Sequence, residues 1–293
     1  MQALLYKTLL PLSVILSLST FLWARQTGGH LEMMVFISGI LTFVLALILE
    51  AVYRLPQITE PVADKERVTD WISLAVILGV MEPLLKATMP LMVIGAGAVL
   101  LPDSLLSLFP DHVHFGWQVL ITLLTAELLF YWVHRLHHTI PTLWWLHALH
   151  HNPTQVNTVN GFRLHPFNHL INSMMGIFPL LLIGIPHEVL LAYAAITQPI
   201  IILQHADLPL QHGLLNHLFS TNQVHRWHHS NRQEEGNSNY GRSLIIFDKL
   251  FGTFYLPNQQ KPEAYGLFSL SRYPSGQSYW KQVMSIFRPD CCQ

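Results

Sequence analysis

Three stretches carry histidines at spacings that can do chemistry: HRLHH (134–138), HALHH (147–151) and HRWHH (225–229). On a helix, residues three and four apart share one face, their Cβ atoms roughly 5–6 Å apart. His134 and His138 make an i, i+4 pair, with His137 as an extra. His147, His150 and His151 make an i, i+3, i+4 triple, which His225, His228 and His229 repeat. Each segment can aim two or three imidazoles at one point. Together they offer about eight nitrogen ligands, enough for two metal ions. Of the 18 histidines, 15 fall between His134 and His229, a density that scattered core or interfacial histidines do not explain.

The donor types narrow the metal. A protease of the HExxH type needs a glutamate after the first histidine, where Arg135 and Ala148 stand. No cysteine lies among the boxes, which excludes iron–sulfur and zinc-finger sites. Imidazole-rich sites suit iron, zinc or copper. Neutral ligands around two cations leave a high positive charge, which fits iron that binds and reduces O2. Attack on an unactivated C–H bond is redox work that side chains cannot do, so a metal must carry it.

Composition places this chemistry in a membrane. The chain is 51% hydrophobic and 11% charged, where ordinary soluble proteins have about a quarter of their residues charged. A net charge of −1 gives no basic field for nucleic acid. Leu9–Trp23 reads as an uncleaved first span, closed by Arg25, and Met33–Val52 as a second. The polar link from Arg54 to Asp70, with Pro56 and Pro61, is a surface connection. Residues 71–101 form one kinked span or a re-entrant pair, and one crossing is preferred. Within them Glu82 and Lys86, an i, i+4 pair, either serve function or neutralise each other. Residues 102–116 are a loop, and Trp117–Val133 is a span that delivers His134. Residues 170–204 are a hairpin that enters the membrane and returns to His205. Basic residues Arg54, Lys65 and Arg67 put that link, and by parity the histidines, on the cytoplasmic side. Adjacent Cys291 and Cys292 are poor partners for a structural disulfide.

The expected fold class is all-α: an integral membrane helical bundle with a cytosol-facing, histidine-rich helical cap holding a di-metal site. Residues 1–116 form an N-terminal transmembrane region, 117–256 the histidine-box catalytic domain, and 257–293 a C-terminal tail.

The sequence resembles the fatty acid hydroxylase / sterol desaturase superfamily, membrane-bound enzymes with histidine boxes. The resemblance rests on HRLHH, HALHH, FRLHP (162–166), QHAD (204–207), HRWHH, NYG (239–241) and FDKLFGTFY (247–255), in order across roughly residues 125–256. It implies a di-iron site, O2 as co-substrate, and electrons from a reductase through a separate cytochrome b5-like or ferredoxin-like carrier. The implied outcome is hydroxylation or desaturation of a lipid in a bacterial inner membrane or endoplasmic reticulum. Carried over position by position, it makes His134, His138, His147, His150, His151, His205, His225, His228 and His229 the ligands. His165 becomes a ligand or a group hydrogen-bonded behind one, and Glu127, Tyr131, Asp207 and Asp248 orient ligands, with a turn or cap as the plainer role for Asp248. Many relatives carry an acidic residue shortly after the HP motif, where this chain has Asn168 and His169. The readings from other classes are a histidine-rich metal transporter or sensor and a non-catalytic scaffold.

Overall fold

The computed structural model describes residues 2–53, 64–100, 108–258, 261–268, 272–288 and 291–292. The link at 54–63, with Arg54, Pro56 and Pro61, and the start of the 102–116 loop lie outside them. The described residues are mostly helical; two isolated bridges, Phe219 with Leu244 and Ser230 with Tyr265, are the only β pairing among them.

Two antiparallel helices, α1 (Gln2–Thr27) and α2 (Leu31–Tyr53), lead into α3 (Asp64–Val76). A π-helical turn, Ile77–Met81, joins α3 to α4 (Glu82–Leu100) without a break. The widened turn ends where Glu82 N–H donates to the Ile77 carbonyl, just ahead of Pro83, which has no N–H to give. Residues 64–97 are thus one candidate span of 34 residues, about 51 Å at 1.5 Å per residue. That exceeds the ~30 Å of hydrocarbon, so an end of it projects. The helix runs on without a re-entrant turn and begins at Asp64, so Lys65 and Arg67 belong to it and not to the link. Glu82 does not close on Lys86; its Oε1 lies 3.2 Å from His169 Nε2.

Next come α5 (Phe115–Thr139) and α6 (Pro141–His151). Pro141 sits at the first position of α6, where a missing N–H costs nothing. The 170–204 region is α7 (Pro166–Gly176), a second short helix α8 (Phe178–Leu182), and α9 (His187–Gln204). Among the described residues five helices are long and apolar enough to cross a membrane: α1, α2, α3 with α4, α5 and α9. The chain is a multi-pass membrane protein. Its exposed Leu12, Ile15, Phe36, Leu41, Ile48, Leu91 and Ile94 are the surface that lipid requires.

Packing sorts the ends of these helices onto two faces. At one end Arg25 pairs with Glu188, His187 with Glu32, and Phe109 N–H with the Ile183 carbonyl. At the other end lies the cap. There Glu50 of α2, buried, accepts from Thr158 N and Oγ1 and from Asp207 N at 2.7–2.8 Å. Arg163, buried completely, pairs with Glu66 and Asp70 of α3. Between the ends, α2 crosses α9 closely at Gly39, where a Cβ would lie 2.5 Å from the Gln198 side chain.

The cap is completed by α10 (Asn222–His228), α11 (Gln233–Gly236), α12 (Ile246–Leu250) and α13 (Tyr279–Val283). The C-terminal segment is built into this cap: Tyr273, Tyr279 and Val283 pack on Trp145, Ala148 and Leu149 of α6. Trp145 Nε1 donates to Ser285, and Asn152 to Gln282. Contrary to expectation, Cys291 and Cys292 are joined to each other, in a turn where Cys292 has φ 68°.

Candidate metal centre

All nine histidines that the resemblance makes ligands converge, in two groups. His134, His138, His147, His151 and His228 form one, and His150, His205, His225 and His229 the other, each group's ligand atoms lying within 4.8 Å of one another. The groups abut: the rings of His151 and His229 stack with centroids 4.5 Å apart. Each triple is divided between them. On α6 the i, i+4 pair His147 and His151 faces the first group and His150 the second. On α10 the i, i+4 pair His225 and His229 faces the second group and His228 the first. Both helices therefore serve both groups.

The donor atoms stand as a metal would need them. His134 Nε2 is 2.9 Å from His147 Nε2, and His151 Nε2 is 3.1 Å from His228 Nε2. His225 Nε2 faces two others at once, His205 at 2.9 Å and His229 at 3.0 Å. One N–H cannot satisfy both. Ligands about 2.0–2.1 Å from an ion, at right angles to each other, are about 2.9 Å apart, so these contacts match edges of a coordination shell. His138 Nε2 is buried without a hydrogen-bond partner while its Nδ1 is taken by Asn237. The donor set is entirely imidazole, and the residues fit a pair of metal ions.

Burial also sets the protonation state. His147, His150, His151, His225, His228 and His229 are held well below the usual histidine range by desolvation, and His205 is pushed down to about 3. Neutral rings keep the lone pair that a metal requires.

The other candidates stand around this core. Both nitrogens of His137 are engaged, by the Val133 carbonyl at 2.8 Å and Asn168 Nδ2 at 3.0 Å, and it joins neither group. His165 is the N-cap of α7: Nδ1 accepts from Phe167 N–H, Pro166 follows at the first helical position, and Nε2 donates to the Val283 carbonyl. That is the local reason for the HP motif. Glu127, fully buried, accepts from Ser243 N at 2.6 Å, Leu244 N at 2.9 Å and Tyr193 Oη at 2.9 Å, and so holds the segment after NYG rather than a histidine. Tyr131 bonds Thr253 and Arg135, and its ring meets Tyr240, which lies against His134 and His138. Asp207 donates its N–H to Glu50. Asp248 accepts from Tyr240 N, Gly241 N and Thr253 Oγ1 at 2.7–2.8 Å, a turn role, and burial lifts its carboxyl to about 6.

Sequence reading missed the groups that hold the rings. Asn160, Asn237 and the carbonyls of Ser238 and Tyr240 each meet a histidine Nδ1. Only the asparagines had a legible signal, as polar residues beside the boxes.

Residues 119–253 match the fatty acid hydroxylase family model. This stretch is thus similar to fatty acid hydroxylase domains, the superfamily that the boxes resemble. Ornithine lipid hydroxylase OlsE of Rhizobium tropici is 38% identical over 149 residues, which cover 51% of this chain and 45% of that protein. Alkylglycerol monooxygenase of Xenopus tropicalis is 30% identical over 151 residues, covering 52% of this chain and 33% of its own length. The human alkylglycerol monooxygenase is 30% identical over 154 residues, with the same two shares. The matched stretch thus spans less than half of these curated relatives. No solved structure gives a significant match.

Proposed function

We propose that this chain is a membrane-bound, O2-dependent lipid hydroxylase in which the nine histidines hold two iron ions. The observation that carries it is the gathering of all nine into two abutting groups at one end of a bundle of membrane spans. Hydroxylation is favoured over desaturation because the relatives above are a hydroxylase and a monooxygenase by name. When bound, the irons would supply the O2 activation and redox chemistry that oxygen insertion into a C–H bond requires.

The chain's own residues supply the setting. Buried, neutral imidazoles offer nitrogen lone pairs and no carboxylate, so the two ions keep most of their charge. The cap excludes bulk water from rings that are buried or nearly so, which protects the reaction from side paths. Asn237, Asn168 and the Ser238 and Tyr240 carbonyls each accept a proton-bearing Nδ1, leaving the opposite Nε2 free to ligate. The bundle beneath the cap lets a hydrocarbon chain reach the site from the bilayer without crossing water. Electrons come from a separate carrier, a cytochrome b5-like or ferredoxin-like protein. The cap faces the cytoplasm, as its side also receives Lys65 and Arg67 at the start of α3.

The test is metal content and O2 uptake after dithionite reduction, on detergent-purified protein with His150→Ala beside it. About two irons per chain, with uptake abolished in the variant, is the expected result. Zinc alone after iron-supplemented expression, with no uptake, would overturn the reading.

A further inference from the structure

A histidine that turns one nitrogen to a metal leaves the other for the protein, and the two groups differ in what meets it. In the first group four of the five outer nitrogens have an acceptor. His134 Nδ1 meets the Tyr240 carbonyl at 2.8 Å and His228 Nδ1 the Ser238 carbonyl at 2.7 Å. His138 Nδ1 meets Asn237 Oδ1 at 3.1 Å, and His147 Nδ1 meets Asn168 Oδ1 at 2.9 Å. Three of these acceptors come from one run of five residues, NSNYG (237–241).

That run is itself fixed. Asn239, fully buried at φ 54°, donates to the Val224 and Tyr255 carbonyls and accepts from Tyr255 N–H. Asp248 takes the N–H groups of Tyr240 and Gly241. The Tyr240 carbonyl is thereby aimed at His134 by a carboxylate on the other side of its own peptide segment.

In the second group, among the described residues, the outer support is one long contact, Asn160 Oδ1 at 3.3 Å from His205 Nδ1. Nδ1 of His225 is buried with no hydrogen-bond partner, and Nδ1 of His150, also buried, makes no hydrogen bond of ordinary geometry although the Arg163 backbone lies near that ring.

We infer that the two groups are inequivalent: the first is organised before any ion arrives, and the second is the labile site, filled last and emptied first. The inference rests on reading the nine histidines as ligands to two ions. Its physical basis is tautomer choice. A neutral imidazole carries its proton on either nitrogen, and an acceptor at Nδ1 fixes both that choice and the ring's direction. Rings without one must be ordered by the metal itself. Losing one outer partner typically weakens metal binding about 10–100-fold, and the groups differ by more than one.

The experiment is a Co2+ titration of the metal-free, full-length protein in detergent, read by visible absorption and by competition with a chromophoric chelator. Two ions are expected to bind, the second at least about tenfold more weakly. His205→Ala should remove the weak step and keep the tight one; His134→Ala should remove the tight one. Asn237→Ala should loosen the tight step about 10–100-fold and leave the weak step where it is. Two ions of equal affinity, or loss of the tighter step in His205→Ala, would overturn the inequivalence while the two-ion reading stands. Fewer than two ions at saturation, in protein that still melts cooperatively, would overturn both. The wild-type titration decides the inequivalence even if a histidine variant does not fold, and Asn237→Ala, which keeps every histidine, assigns the tight step.

Discussion

Glu127→Gln should cost more than its isosteric shape implies. Glu127 accepts three hydrogen bonds in a fully buried position, two from backbone N–H groups on Oε2 and one from Tyr193 on Oε1. Glutamine has one acceptor oxygen. If that oxygen takes the two amides, the new NH2 points at Tyr193 Oη, which already accepts from Arg242 Nη1 at 3.0 Å. The tyrosine proton then has no acceptor. Bonds to a charged group contribute about 1.5–3 kcal/mol and neutral ones about 1. The two amide bonds therefore lose about 1 kcal/mol each and the tyrosine bond is lost outright, roughly 3–5 kcal/mol in all. At about 2–4 °C per kcal/mol for a chain of this size class, melting should fall by roughly 6–20 °C. Thermal unfolding of the detergent-solubilised protein, followed by tryptophan fluorescence, measures it. Tyr193→Phe serves as the control that removes one bond and leaves the carboxylate its two amides. A Glu127→Gln protein that melts within 2 °C of wild type would refute the assignment of all three bonds to one acceptor side chain.

Three further outcomes follow from the geometry. Gly241→Ala places a Cβ 2.1 Å from the Leu244 carbonyl and 2.9 Å from Asp248; it should displace the 237–241 run, with a melting-temperature drop and loss of the tighter Co2+ step. Arg163→Met leaves Glu66 and Asp70 without their buried cation, a loss of about 3–5 kcal/mol to be read by urea unfolding. His212 is buried, donates to Asn222, and burial pushes its ring down to about 4. Its contribution is complete above the ordinary histidine range and is lost as pH falls, because the unfolded chain takes up the proton first. Between pH 7.5 and 5.5 that is about 1.4 kcal/mol, so His212→Asn should flatten the acid limb of the stability curve by that amount relative to wild type.

The histidine boxes were legible because helical spacing alone brings i, i+3 and i+4 side chains to one face. Their division between the groups was not. His150 and His151 both neighbour His147 on α6, yet only the position of α10 and of His205 decides which of them turns to which group. The spans were legible from apolar length, whereas the C-terminal segment read as a tail because its contacts with Trp145 and Asn152 join residues about 130 positions apart. The ring partners were hardest to find. Two of them, at Ser238 and Tyr240, are backbone carbonyls, and the side chain at such a position says nothing about its oxygen.

The lock on the NSNYG run also imposes an order of events during synthesis. Asp248 follows His151 by 97 residues, about 5–20 s of elongation. For most of that interval the first two boxes exist while the acceptors for His134 and His138, at Tyr240 and Asn237, do not. The spans up to α5 can insert, but a nascent chain holds loose imidazoles able to capture whatever divalent ion is at hand. On the proposed two-iron reading, ordered loading therefore belongs to the finished chain, and the supply of the right metal must match the last stretch of translation rather than the first.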